Sequence, residues 1–163
     1  DVEGALMTWR RVEQISVPHT ALVAQRMMDG YRKVGRPQEG VNLIKSYLEQ
    51  ASSIDLLEVV YKAVLELDGL DAAKELVVNE LRRTPTLLGL DKLLEARLVD
   101  APPGVVSELS MVRNLVHGYT QKLARYQCGH CGFKARQFYW QCPGCSRWET
   151  YPPRRTEELN VMN

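Results

Sequence analysis

Apolar residues recur at intervals of three and four through most of the chain, the period that lays them along one face of an α-helix. In residues 1–16, Leu6, Trp9, Val12 and Ile15 follow it, and Pro18, which cannot continue a helix, marks the stop. Thr20 is placed to cap a following helix that passes through Leu22, Val23, Met27 and Tyr31 and ends at Gly35. The next helix runs from about Pro37 through Val41, Ile44 and Tyr47 to Glu49. Ser52 or Ser53 then caps another, with Leu56, Leu57, Val60, Val64 and Leu67 on its apolar side and Gly69 at its end; residues 72–83 form one more before Pro85. After Pro102-Pro103 the pattern predicts a longer helix over 104–124. There Val105, Leu109, Val112, Val116, Tyr119 and Leu123 advance alternately by four and three as one seam.

Superposed, these segments show a period of 34 residues. Leu22 aligns with Leu56 and Leu90, Tyr31 with Leu65 and Val99, Gly35 with Gly69 and Pro103, Ile44 with Val78 and Val112, and Tyr47 with Leu81 and Leu115. Apolar falls on apolar and turn residue on turn residue. The pattern predicts a mainly α chain, a helix-pair solenoid that resembles the tetratricopeptide repeat. Gly40 and Ala73 would be the small residues that let the second helix pack closely, and Pro85 the closing proline; the signature Trp and Gly of that repeat's first helix are replaced here. In such a stack the first helix of each pair lines a concave surface on which partner proteins lie. By the period, Gln25, Asp29, Arg32 and Lys33 from the first unit, Val59 and Glu66 from the second, and Arg97 from the third are the candidate partner contacts.

The chemistry lies near the other end. All four cysteines fall between Tyr126 and Trp148, as Cys128-x-x-Cys131 and Cys142-x-x-Cys145 with ten residues between the pairs. Two intervening residues let both sulfurs of a pair converge from one turn, and two facing turns supply four thiolates to a tetrahedral ion. Gly132 provides a position free to take positive φ, Pro143 fixes a turn dihedral, and Phe133, Phe138, Tyr139 and Trp140 read as the strands of a small β-hairpin with Trp148 just beyond. So short a segment buries too little apolar surface to hold itself together, and the ion must supply the rest. One zinc fits a structural role, and iron suits the same ligands. Two disulfides, a redox Cys-x-x-Cys, and His130 as a substitute ligand are the competing readings. The division is therefore residues 1–124 as helical repeats and 125–163 as a rubredoxin-type four-cysteine module with a tail. No Gly/Pro/Ser linker separates them, so the module is expected to dock on the final helices. His117, near the seam of the long helix, reads as a half-buried surface histidine.

With 45% hydrophobic and 25% charged residues and a net charge of +1 over 163 residues, the composition is that of an ordinary globular protein. Near-neutrality gives no general reason for nucleic-acid binding. The stretch from Arg125 onward is modestly basic through Lys134, Arg136, Arg147, Arg154 and Arg155, which leaves a nucleic-acid-binding zinc ribbon as an alternative and a rubredoxin-like electron carrier as another. There is no apolar run of transmembrane length and no signal peptide. The opening on Asp1, inside a helical pattern, suggests a piece of something longer. No phosphate loop, nucleophile elbow or paired-histidine motif is present. Four thiolates leave an ion no open position for substrate or water, which argues against an enzyme.

The run Tyr126-x-Cys128-x-x-Cys131-Gly132-Phe133 followed by Tyr139-Trp140-x-Cys142-Pro143-x-Cys145-x-x-Trp148, placed directly after helical repeats, closely resembles the C-terminal part of the lipopolysaccharide assembly protein B family, also called YciM. The resemblance is strong over 126–148 and architectural over the repeats. It implies an adaptor that works with the membrane protease FtsH to promote degradation of the lipid A deacetylase LpxC, modulated by an inner-membrane regulator. It also implies attachment to the inner membrane, on the cytoplasmic side, through a helix upstream of Asp1. Carried over by position, Cys128, Cys131, Cys142 and Cys145 would be the metal ligands.

Overall fold

The computed structural model describes residues 1–161. Among them are eight α-helices: α1 Val2–Ile15, α2 Ala24–Lys33, α3 Pro37–Gln50, α4 Ile54–Leu67, α5 Leu70–Arg83, α6 Leu87–Leu98, α7 Pro103–Leu123 and α8 Thr156–Val161. A 3₁₀ helix spans Val17–Leu22, and two short strands, β1 Tyr126–Gln127 and β2 Lys134–Ala135, pair antiparallel. The chain divides into two compact units, Asp1–Glu80 and Leu81–Asn163. By contact, α6 and α7 thus belong with the four-cysteine module, and the division falls well before residue 124.

The helix pairs recur, with their second helices starting 33 residues apart where the sequence period is 34. The second helices begin at Pro37, Leu70 and Pro103, and the glycines that end α2 and α4, Gly35 and Gly69, take φ of +71° and +90°, a conformation that is costly for any residue with a Cβ. In the first unit, Met27, Met28 and Tyr31 of α2, Val41, Ile44 and Tyr47 of α3, and Leu56, Val60 and Val64 of α4 are buried together as the core. Two glycines set how closely the helices approach. A Cβ on Gly40 would lie 2.9 Å from the Tyr31 side chain, and one on Gly30 would lie 2.8 Å from Leu6, the residue by which α1 packs on α2. Tyr47 places its hydroxyl on the Glu13 carboxylate. Burial first, then that contact, push its ionisation well above the usual tyrosine range.

Three local expectations change. Thr20 caps nothing: it is buried in the 3₁₀ helix, its hydroxyl donating to Val17 O at 2.6 Å, and α2 starts four residues later. Ser53 is the cap of α4, accepting from Leu56 N, while Ser52 donates to Glu80 of α5 at 2.5 Å. Ile15 is 86% exposed, so it drops out of the apolar side of α1, which is held by Leu6 and, in its last turn, by Glu13 on Tyr47.

In the second unit, α7 departs most from its predicted seam. Thr120 is its one fully buried residue, while Val105, Val112 and Tyr119 of the seam are exposed. Polar contacts join α7 to α6: His117 Nδ1 lies 2.7 Å from Asp91, and Arg113 reaches Glu95 at 3.2 Å. His117 is therefore half-exposed and held by a carboxylate.

Candidate metal centre

The second unit also contains the module built on the cysteines. Each pair sits on a turn of the same construction. Gly132 N–H donates to Cys128 O at 3.0 Å, and Ser146 N–H donates to Cys142 O at 2.8 Å. Four residues after the first cysteine of each pair the backbone turns left-handed, φ +75° at Gly132 and +58° at Ser146. Within each turn an amide faces the leading sulfur: His130 N at 3.4 Å from Cys128 Sγ, and Gly144 N at 3.3 Å from Cys142 Sγ. These N–H groups stabilise charge on sulfur without themselves becoming ligands. His130 thus contributes its backbone; its side chain is exposed and outside the ligand set.

The four sulfurs lie within 4.8 Å of one another. Across the pairs, Cys128 Sγ is 3.9 Å from Cys145 Sγ and Cys131 Sγ is 3.6 Å from Cys142 Sγ. A tetrahedron with metal–sulfur bonds of about 2.3 Å has edges of about 3.8 Å, so the spacing fits one tetrahedral ion. It is far too long for disulfides, at about 2.05 Å, and all four cysteines are free.

Electrostatics point the same way. Burial alone would raise Cys128, but the Thr150 hydroxyl, 3.1 Å away, and two backbone amides pull it well below the usual thiol range. Cys142 is lowered too, its own burial being outweighed by the amides of Cys145 and Gly144. Cys131 moves up: the Phe133 amide favours its thiolate, and desolvation and the neighbouring sulfurs override it. Four sulfurs so close cannot all carry charge by themselves. A divalent cation removes that conflict.

The shell around the sulfurs differs from the predicted hairpin. Phe133, Phe138, Tyr139 and Trp140 are in neither strand; β1 and β2 sit at Tyr126–Gln127 and Lys134–Ala135, and a single bridge joins Gln141 to Trp148. Phe133, Trp140 and Trp148 are largely exposed. The small core consists of Tyr126, Cys128, Cys142 and Tyr151, with Phe138 and Tyr139 packed against it. Tyr151 donates its hydroxyl to Phe133 O at 3.1 Å. Thr150 and Tyr151 lie beyond the cysteine motif, and nothing in its spacing singles them out.

The tail completes the attachment. Arg155 places its guanidinium 4.1 Å from the centroid of the Tyr126 ring and donates to Ala124 O at the end of α7 and to Arg136 O after β2. Thr156 donates to Leu123 O, and both oxygens of Glu157 accept from the first amides of α6, Leu87 N at 2.5 Å and Leu88 N at 3.0 Å. The module is docked on the final helices, as its missing linker predicts, chiefly by residues that follow it. Arg155, one of the cations counted towards a basic face, is engaged in this docking.

Of the candidate partner contacts, Gln25 and Lys33 are exposed, and Gln25 donates to Asp29 at 2.9 Å. Arg32 bridges Asp29 at 3.0 Å and Glu66 at 2.7 Å, tying α2 to α4 one repeat on. Val59 is 7% exposed and belongs to the core, because α4 is buried on nearly every side, which removes it as a contact. Arg97 is exposed on α6 in the second unit.

Residues 126–153 match a family model described as a rubredoxin metal binding domain. Over 126 residues the chain is 31% identical to lipopolysaccharide assembly protein B of Escherichia coli strain K12, covering 77% of this chain and 32% of that protein. The protein of the same name from Haemophilus influenzae is 28% identical over 100 residues, 61% of this chain and 25% of the relative. The chain spans between a quarter and a third of the length of the curated relatives it matches. No helix among the described residues is long and apolar enough to cross a membrane.

Proposed function

From the membership of this chain in the lipopolysaccharide assembly protein B family, we propose that it serves lipopolysaccharide assembly as a scaffold that carries out no chemistry of its own. The observation that carries this reading is the closed centre: four thiolates surround the ion position and leave it no place for water or substrate. An ion so enclosed, zinc in this reading, holds structure. In the first unit, helix pairs tied together across repeats offer a surface for other proteins, with Gln25, Asp29, Arg32, Lys33 and Glu66 on it, and the second unit offers Arg97. The partners are the membrane protease FtsH and the deacetylase LpxC, which the scaffold brings together at high effective concentration so that LpxC is degraded. An inner-membrane regulator sets the balance. The work takes place on the cytoplasmic side of the inner membrane, with membrane attachment through a segment outside these residues.

The test is LpxC turnover in cells whose own copy of this protein is replaced by the Cys142→Ser variant. The expected result is a lengthened LpxC half-life, with FtsH and LpxC no longer recovered together on the variant. A normal half-life with the centre destroyed overturns the proposal.

A further inference from the structure

The apolar face of α7 that does not pack on α6 has a pattern of its own. Met111, Leu115 and Tyr119 are 60%, 64% and 70% exposed, and Val112 beside them is exposed as well. Together with Glu108, Gly118 and Lys122, all exposed, they occupy positions 108, 111, 112, 115, 118, 119 and 122, the three-and-four spacing of a single helix-packing stripe. A run of large apolar side chains on one side of one helix is more than the scattered exposure of an ordinary surface.

The stripe is self-complementary about Leu115. Glu108 and Lys122 lie seven residues to either side of it, about 10 Å along the axis, and so do the pairs Met111 with Tyr119 and Val112 with Gly118 at equal and opposite offsets. If a second copy of the helix is laid antiparallel with Leu115 on Leu115, every acid meets a base and the two apolar sets meet each other. Such a two-fold contact repeats each pairing twice. Gly118 adds an independent hint: a Cβ there would meet nothing within 4 Å, so nothing in the chain itself calls for glycine at a mid-helix position where it costs about 1 kcal/mol relative to alanine. In the antiparallel pair it faces Val112 of the partner subunit and lets the two backbones approach.

We propose that this stripe is a self-association surface: α7 of one chain packs antiparallel on α7 of a second copy, centred on Leu115, with Glu108 of each paired to Lys122 of the partner subunit. One helix face buries less than a standard interface of roughly 1,200 Å² or more, so the dimer forms at concentrations on the order of 100 μM. The charge pairs set register more than strength.

Analytical ultracentrifugation of the reduced, metal-loaded chain from about 5 to 500 μM tests this, with circular dichroism and metal content confirming that each variant is folded. The expected mass rises from 18.6 kDa towards twice that value. Leu115→Glu abolishes the rise, Glu108→Lys shifts its midpoint roughly tenfold to higher concentration, and Glu108→Lys combined with Lys122→Glu restores it. A mass that stays at the monomer value throughout, as expected if the stripe serves a different partner, overturns the proposal. So does a dimer indifferent to Leu115→Glu, or a double reversal no better than the single one.

Discussion

The helices of residues 1–80 and the cysteine module of 126–153 reach a defined structure by opposite means. In the first, Ile44, Tyr47, Leu56, Val60 and their neighbours are removed from water, and the folding energy is spread over many contacts, each replaceable at moderate cost. In the second, strands of two residues and a core of two tyrosines and two cysteines cannot sustain a fold, so the energy is concentrated in one ion. A helical repeat therefore degrades gradually under mutation, whereas the module is present or absent as a whole.

The largest break in that comparison is at sulfur. Cys142→Ser should cost the module most of the roughly 10–16 kcal/mol that a four-ligand structural ion supplies, seen as proteolysis of the chain beyond about residue 125. Acid should act in the same direction. Protons compete for the thiolates, so the ion is held at neutral pH and released as pH falls, with Cys128 and Cys142, whose thiols are the lowered ones, among the last to be protonated. Ile44→Ala should cost about 2–5 kcal/mol in a denaturant titration of the helices, while one ion per chain is still bound. Glu157→Gln weakens the two contacts to the first turn of α6 and should cost about 1 kcal/mol, read as faster amide exchange at Leu87 and Leu88. The smallest effect sharpens the likeness of the two cysteine turns. Ser146 occupies the left-handed position that glycine fills at 132, so Ser146→Gly should stabilise the metal-bound module by about 1 kcal/mol and Gly132→Ala should destabilise it by a similar amount.

What could be read from the chain follows the same divide. Repeated helices announce themselves because each packs by the same period, and the glycines at 35 and 69 recur for a backbone reason that composition alone displays. The gathering of the four cysteines is legible from spacing because two turns of one shape need one spacing. Thr20 misled because a capping residue and a buried hydroxyl in a 3₁₀ turn look alike until the next helix is placed. The strands were misplaced because aromatic residues mark β-structure only when a sheet is large enough to bury them, and here Trp140 and Trp148 remain in water. Tyr151, Arg155 and Glu157 act on residues 18 to 70 positions away, a range at which no local pattern operates. The seam of α7 is only half covered: Leu109, Val116 and Leu123 are partly buried and Val105, Val112 and Tyr119 are exposed, while Asp91, Arg113 and His117 add polar contacts to α6.

The central claim is that one ion on four sulfurs folds the module, and the most direct measurement is titration of the metal-free, reduced chain with zinc, followed by tryptophan fluorescence from Trp140 and Trp148 and by elemental analysis of the product. The account predicts a sharp end point at one zinc per chain, with protection of the module from protease appearing at the same point. A module equally protected before any metal is added, or an end point other than one, would contradict it.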